Sequence, residues 1–149
     1  MSDHIAYSAA RHPAPHRARV GPGAIAYGLF AAPIMWAGNF MVDYALLSHA
    51  CYPADRPLAG GQGGPGYLWW LTLAFHGLTL LVCVSGFLVS LRNWKRTGRE
   101  QEGHAHHLME AGEGRTRYFG VIGMSFAVLF FIAAGVSMMI YAFEPLCPH

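Results

Sequence analysis

Three long runs of apolar residues, separated by polar segments, dominate the pattern of this chain. They cover residues 24–48, 67–91 and 118–142, and the first run is interrupted only by Asn39 and Asp43. A helix of about 20 residues crosses the hydrocarbon core of a bilayer, at a rise of about 1.5 Å per residue. Each run therefore predicts one membrane-spanning helix, and the fold class is an all-α, three-helix integral membrane protein.

The polar segments predict the domain organisation. Residues 1–23 have no hydrophobic periodicity and contain several prolines and glycines, which is typical of a disordered tail. The glycine-rich loop between the first two runs lacks the Gly-Lys-Ser/Thr of a phosphate-binding loop, so we interpret it as a linker. Residues 92–117 form the main charged loop, and residues 24–149 are expected to form one transmembrane domain.

The distribution of basic residues predicts the orientation in the membrane. Lys and Arg number three in the N-terminal tail, one in the first loop, six in loop 92–117 and none after the third run. The positive-inside rule then places the N-terminus and loop 92–117 in the cytoplasm. The C-terminus of this multi-pass chain is then expected on the opposite side, which is the periplasm if the membrane is a bacterial inner membrane.

Composition and charge exclude several classes of function. Hydrophobic residues make up 54% of the chain and charged residues 12%, whereas a soluble domain is typically about 25% charged. A formal charge of +2 gives no broad phosphate-binding face, so we expect membrane lipid and not nucleic acid as a partner. Since no nucleophile–base pair, paired carboxylates or nucleotide motif can be assembled, we do not expect an enzyme.

Three polar residues within the spans are the candidate site. Counted from the outer ends of their helices, Asn39 and His76 lie equally deep, and Asp43 lies one turn nearer the surface. We therefore expect Asn39 and His76 to face each other across the first two helices, where they could form a hydrogen bond. His76 is open to a structural role, to proton or quinone chemistry with Asp43, or to haem ligation. Asp43 is a candidate functional carboxylate, although its shallow depth also fits a side chain that reaches interfacial water.

No metal or cofactor site is predicted, with haem kept as the alternative. A transmembrane haem commonly uses two histidines, and the spans contain only His76. The histidines and glutamates of loop 92–117 lack the four defined ligands of a zinc site. A solvated loop is the simpler interpretation of that segment.

The cysteines suggest one disulfide. Cys51 and Cys147 each follow a span by a few residues, and the predicted topology places both in the oxidising compartment outside the cytoplasm. We expect a bond between them, with two free thiols or copper or haem delivery as alternatives. Cys83 lies within the second span and is expected to be a small apolar residue.

Small residues recur at helical spacing on the first two spans. Such residues let helices approach closely, and stripes that faced outward would suit docking to a larger complex. The predicted helix-packing positions are Ala24, Gly28, Ala32, Gly86 and Ser90.

Two groups of short motifs carry a resemblance. One runs from Pro33 through Trp36, Asn39 and Tyr44 to Cys51, and the other combines Arg117-Tyr-Phe-Gly before the third span with Pro145-Leu-Cys147 behind it. They resemble small three-span inner-membrane proteins of proteobacteria that are commonly encoded near haem–copper cytochrome c oxidases and their assembly factors. The resemblance covers most of residues 30–147. It departs from the pattern at Asn39, where such proteins are expected to have a histidine.

Three functions stay open from the sequence. The resemblance implies a non-catalytic accessory or assembly protein of a respiratory membrane complex, most naturally a cytochrome c oxidase. The alternative is a haem- or quinone-associated protein that handles electrons or protons through His76 and Asp43. The third is a small oligomeric channel or transporter, with the polar face of the first helix lining a pore.

Overall fold

The computed structural model describes residues 20–52, 66–97 and 115–143, and these form three helices. Helix α1 is Pro22–Cys51, α2 is Gly66–Arg96 and α3 is Arg115–Phe143. Each is long and apolar enough to cross a membrane, and each contacts the other two, most extensively α2 with α3. The all-α class is thereby confirmed, and the three helices indicate a multi-pass membrane protein.

All three helices are longer than the apolar runs that predicted them. Helix α1 begins with Pro22 in its first turn, where the missing N–H of proline costs nothing and its fixed φ suits the helix. Helix α2 continues through Lys95 and Arg96 at its C-terminal end. Charged residues can extend a spanning helix because they lie at the polar interface, beyond the hydrocarbon core.

Helix α1 also continues through Pro33. Proline removes one backbone hydrogen bond, and membrane helices tolerate that loss where neighbouring groups compensate. The predicted span over residues 24–48 is therefore not divided by Pro33.

The interior of the bundle is small and polar, whereas its surface is apolar. The largest fully buried side chain is that of His76, and half of the buried apolar residues are alanine, beside Val20, Leu68 and Cys83. Large apolar side chains such as Phe30, Leu81 and Ile132 point outward. This is the distribution expected in lipid, where apolar side chains gain nothing by leaving the solvent and close packing of small residues associates the helices.

The predicted small-residue positions lie between the helices of this chain. Gly28, Ala32, Gly86 and Ser90 are buried, and Ala24 is half-buried. They face inward and pack this bundle, so they do not form an outward docking surface.

The three helices approach most closely at one junction, where Ser90 of α2 lies against Gly28 of α1 and Gly123 of α3. A Cβ atom at Gly28 would lie 2.5 Å from Ser90 Oγ. A Cβ atom at Gly123 would clash with the same hydroxyl and lie 2.9 Å from the Gly28 carbonyl oxygen. The Ser90 hydroxyl therefore requires glycine at position 28, whereas the same hydroxyl and the backbone of α1 together require glycine at position 123. Gly86 differs, because a Cβ atom there would meet nothing within 4 Å.

Polar contacts join the helices at both ends of the bundle. Near the C-terminal end of α2 the Asn93 side-chain amide donates to the Ala24 carbonyl oxygen at 3.2 Å. Near the N-terminal end of α2 the Trp69 indole N–H donates to the Tyr141 carbonyl oxygen at 3.0 Å. These contacts fix α2 against α1 at one end and against α3 at the other.

Candidate intramembrane polar site

The candidate site is a cluster of buried polar side chains in the half of the bundle that contains the C-terminal ends of α1 and α3. Asn39 and Asp43 lie one turn apart on α1, so that both side chains project from the same face. That face meets His76 of α2. The exposed fractions of Asn39, Asp43 and His76 are 4%, 2% and 1%.

One oxygen of Asp43 connects the three residues. Its Oδ2 accepts a hydrogen bond from the Asn39 side-chain amide at 3.3 Å and lies 3.5 Å from His76 Nε2. The contact between Asn39 and His76 therefore runs through Asp43, and no direct hydrogen bond joins the two side chains. Counting depth along the two helices missed this because Asp43 is itself within reach of the His76 ring.

The burial of Asp43 also differs from the interfacial role that its shallow depth allowed. At 2% exposure its carboxyl group is enclosed by the three helices. An ionised carboxylate there needs a partner, since isolated charges are costly in a low dielectric.

The backbone of α2 determines which nitrogen of His76 carries a proton. His76 Nδ1 lies 2.9 Å from the Thr72 carbonyl oxygen. A carbonyl oxygen only accepts, so Nδ1 must be the donor. His76 then meets Asp43 with Nε2 alone.

This geometry makes the Asp43–His76 pair a site for one exchangeable proton. With Nδ1 protonated, either Nε2 carries a second proton and faces a carboxylate, or Asp43 is protonated and donates to the Nε2 lone pair. Without that proton, two lone pairs would face each other and the buried pair would carry a net negative charge. The pair is therefore neutral as a unit while it holds one proton.

Helix α3 completes the surroundings of the pair. The Tyr141 ring lies 5.1 Å from the His76 ring, between ring centres, at a tilt of 57°. The hydrogen bond from Trp69 to the Tyr141 carbonyl holds this part of α3 in place. The sequence did not predict Tyr141 as a site residue, because a single sequence gives no register between α2 and α3.

A cavity of about 120 Å³ adjoins the pair. Its polar lining comes from the three cluster residues and Ser137, and its apolar lining from Trp36, Phe40, Ile140 and Tyr141. Two of these lining residues each have a buried side-chain oxygen without a hydrogen-bond partner, Asn39 Oδ1 and Asp43 Oδ1. Both atoms are hydrogen-bond acceptors, so each can still accept a hydrogen bond from a donor.

The geometry of His76 does not suit haem ligation. Both ring nitrogens are engaged, one by Thr72 and one by Asp43, and the cavity is the size of a single six-membered ring and not of a porphyrin. Within the part of the chain that the structure describes, no three His, Cys, Asp or Glu side chains are grouped to hold a metal ion. The histidines and glutamates considered between residues 102 and 110 lie outside the described residues.

The disulfide between Cys51 and Cys147 stays a prediction. Cys51 is the last residue of α1, and Cys147 lies outside the described residues. Cys83 is a buried free thiol on α2, as its position within the apolar run suggested.

The sequence matches no known protein family and no curated protein, and its fold matches no solved structure.

Proposed function

We propose that this chain is a non-enzymatic, multi-pass membrane protein that binds and releases a proton within the bilayer at the Asp43–His76 pair. The observation that carries the proposal is the orientation of His76. The Thr72 carbonyl oxygen occupies Nδ1 at 2.9 Å and leaves Nε2 to meet Asp43 at 3.5 Å. One proton shared by two buried bases is the chemistry of a proton relay.

Two further features support this proposal over a purely structural role for the histidine. A packing histidine needs its hydrogen bonds satisfied, whereas this cluster leaves two acceptor oxygens without partners beside a cavity. Hydrogen-bond donors such as water can enter the cavity, donate to those two oxygens and connect the pair to a source of protons.

The proposal is tested by magnetic resonance on protein in lipid nanodiscs, labelled with ¹³C at the aspartate carboxyl and ¹⁵N in the histidine ring. Replacement of Asp43 by Asn and of His76 by Gln assigns the two signals. We expect Asp43 and His76 Nε2 to change protonation state together, as one coupled unit, while Nδ1 stays protonated.

The matched control is His49→Asn, which removes an exposed histidine from the same helix and should leave the coupled transition intact. Signals that change independently, or an Asp43 signal that stays in one form wherever the protein is folded, would overturn the proposal.

A second candidate is the accessory or assembly role beside a cytochrome c oxidase that the resemblance implies. One structural observation favours a partner in the membrane: the outer face of α1 exposes the small residues Ala37, Gly38 and Ala45. Another helix can approach such a face closely. We propose a larger membrane complex as that partner, in a bacterial inner membrane.

Affinity purification from native membranes in mild detergent tests this role. Oxidase subunits are expected with the wild-type chain and reduced with Ala37→Phe. The matched control is Ala74→Phe, the same change at an exposed position of α2. Equal recovery of subunits with both variants, or no subunits with the wild-type chain, would contradict the role.

A further inference from the structure

We infer that the cavity beside Asp43 binds the hydroxylated ring of a quinol that enters from the lipid. This inference rests on the proposed function, because the ring would lie against the same Asp43–His76 pair. Four properties of the cavity carry it: its size, its lining, its unpartnered atoms and its position.

The size suits one ring. An apolar cavity of about 150 Å³ can bind benzene, and a water molecule takes about 30 Å³ in the liquid. The cavity here is about 120 Å³, which is the space of one six-membered ring or of roughly four waters.

The lining suits an aromatic ring with polar edges. Trp36, Phe40 and Tyr141 supply aromatic surface, against which another ring packs favourably. The polar groups are few: the cluster of Asn39, Asp43 and His76 on α1 and α2, and Ser137 on α3. This combination of apolar walls and a few directed polar groups is typical of small-molecule sites.

The unpartnered atoms select the reduced form of the ligand. Asn39 Oδ1 and Asp43 Oδ1 are both acceptors, each on a side chain more than nine-tenths buried. A quinol has two hydroxyl groups that donate, whereas a quinone has only carbonyl acceptors. A quinone would leave both oxygens without a donor, and a buried acceptor without a partner weakens binding.

The position of the cavity allows entry from lipid. Two of its lining residues, Phe40 on α1 and Ile140 on α3, are 62% and 55% exposed on the outer surface of the bundle. In a membrane that surface faces acyl chains. A quinol can therefore place its ring between α1 and α3 while its hydrocarbon tail stays in the bilayer.

The test measures how three tritiated ligands bind to protein-containing nanodiscs, with empty nanodiscs subtracted, under anaerobic conditions. The ligands are a decyl-substituted benzoquinol, the corresponding quinone and the dimethyl ether of the quinol. We expect saturable binding of one quinol per chain, and binding of the quinone and the ether weaker by about tenfold or more. Equal binding of all three ligands would overturn the inference, and this comparison needs no variant to fold.

A pair of serine variants locates the site. Ser137 lines the cavity, and Ser125 lies on the same helix outside it. Both hydroxyls donate to the carbonyl oxygen four residues earlier. Ser137→Leu should fill the cavity and abolish saturable quinol binding, whereas Ser125→Leu should leave it unchanged. Unchanged binding in Ser137→Leu would overturn the assignment of the ring to this cavity.

The coupled protonation of Asp43 and His76, measured in the same samples, separates the two proposals. If it persists while no quinol binds, the quinol inference fails, the cavity holds water and the proposed function stands. If it is absent, the proposed function fails whatever the binding result.

Discussion

Hydrogen-bond partners decide what each buried polar residue contributes to stability. Asn39→Leu removes one donor to Asp43 and also an acceptor that has no partner. We expect a loss of about 0.6 kcal/mol in unfolding free energy, the average for a hydrogen bond inside a membrane protein. His76→Leu should cost more, about 1–3 kcal/mol, because it leaves the buried Asp43 without its partner on α2.

Both values are measured by denaturant titration in bicelles, with Met41→Leu as the control at an exposed position of α1. A larger loss for Asn39→Leu than for His76→Leu would show that Asp43 is not the connecting residue of the cluster.

The close approach at Ser90 gives a second prediction. Gly28→Ala should destabilise the bundle by about 1–3 kcal/mol, because the added Cβ overlaps Ser90 Oγ. Ser90→Ala alone should be nearly neutral, since its buried hydroxyl has no hydrogen-bond partner. The double variant should recover most of the loss, because the Ser90 Cβ lies at an ordinary contact distance of 3.6 Å.

Gly123→Ala provides the contrasting case in the same thermodynamic cycle. Its Cβ would also lie 2.9 Å from the Gly28 carbonyl oxygen, so Ser90→Ala should not rescue it. Gly86→Ala, at a buried position with open space, is the control and should be tolerated. Rescue of Gly123→Ala by Ser90→Ala would contradict the backbone contact between α1 and α3.

Single residues were predictable as far as their chemistry stands out from an apolar run. Asn39, Asp43 and His76 were identified because polar groups in a span need protein partners. Their connection was not predictable, since it depends on the rotation of α1 against α2. Tyr141 and Ser137 were not predicted as site residues, because neither is unusual within its own helix and their place in the site depends on how α3 packs against the other two helices.

Whole helices were predictable from hydrophobic length, and their ends less so. The run at 67–91 became Gly66–Arg96, because the apolar pattern ends where the hydrocarbon core ends and the helix does not. The predicted small-residue positions were a mixed set. Ser90 lies where the three helices approach closely, whereas buried Gly86 has open space beside it. This difference depends on the residues of the facing helix, which the sequence of one helix does not show.

The two adjacent tryptophans near the N-terminal end of α2 differ in their contacts with α3. Trp69 donates to the Tyr141 carbonyl oxygen of α3, whereas Trp70 is 68% exposed and contacts Trp69 edge-on. Trp69→Phe should therefore lower the unfolding free energy by about 0.5–1.5 kcal/mol, and Trp70→Phe should change it little. Equal effects of the two variants in bicelle titrations would contradict the role of the indole hydrogen bond.

Orientation is a property of the whole molecule that basic residues predict. A reporter that is active only in the periplasm is expected to be active when fused after residue 149 and silent when inserted within residues 92–117. The reason is the excess of Lys and Arg in the tail and in that loop. Activity of the internal fusion with silence of the C-terminal fusion would reverse the predicted topology.

The predicted disulfide would join the outer ends of the first and third helices. Thiol labelling without reduction should then modify only Cys83, and only after denaturation, because that thiol is buried. Three reactive thiols in unreduced, denatured protein would refute the Cys51–Cys147 bond. A positive result would also agree with the proposed topology, since both cysteines need the oxidising side.

The junction at Ser90 has a consequence for how sequences of this protein can diverge. Positions 28, 90 and 123 share one fixed volume, because the backbones of α1 and α3 are nearly in contact there. A methyl group gained at position 28 is acceptable only where position 90 loses its hydroxyl. No change at position 90 makes room for a methyl group at position 123, because the backbone at position 28 occupies that space. Among homologous chains, residues 28 and 90 should therefore covary in size, and residue 123 should stay glycine throughout.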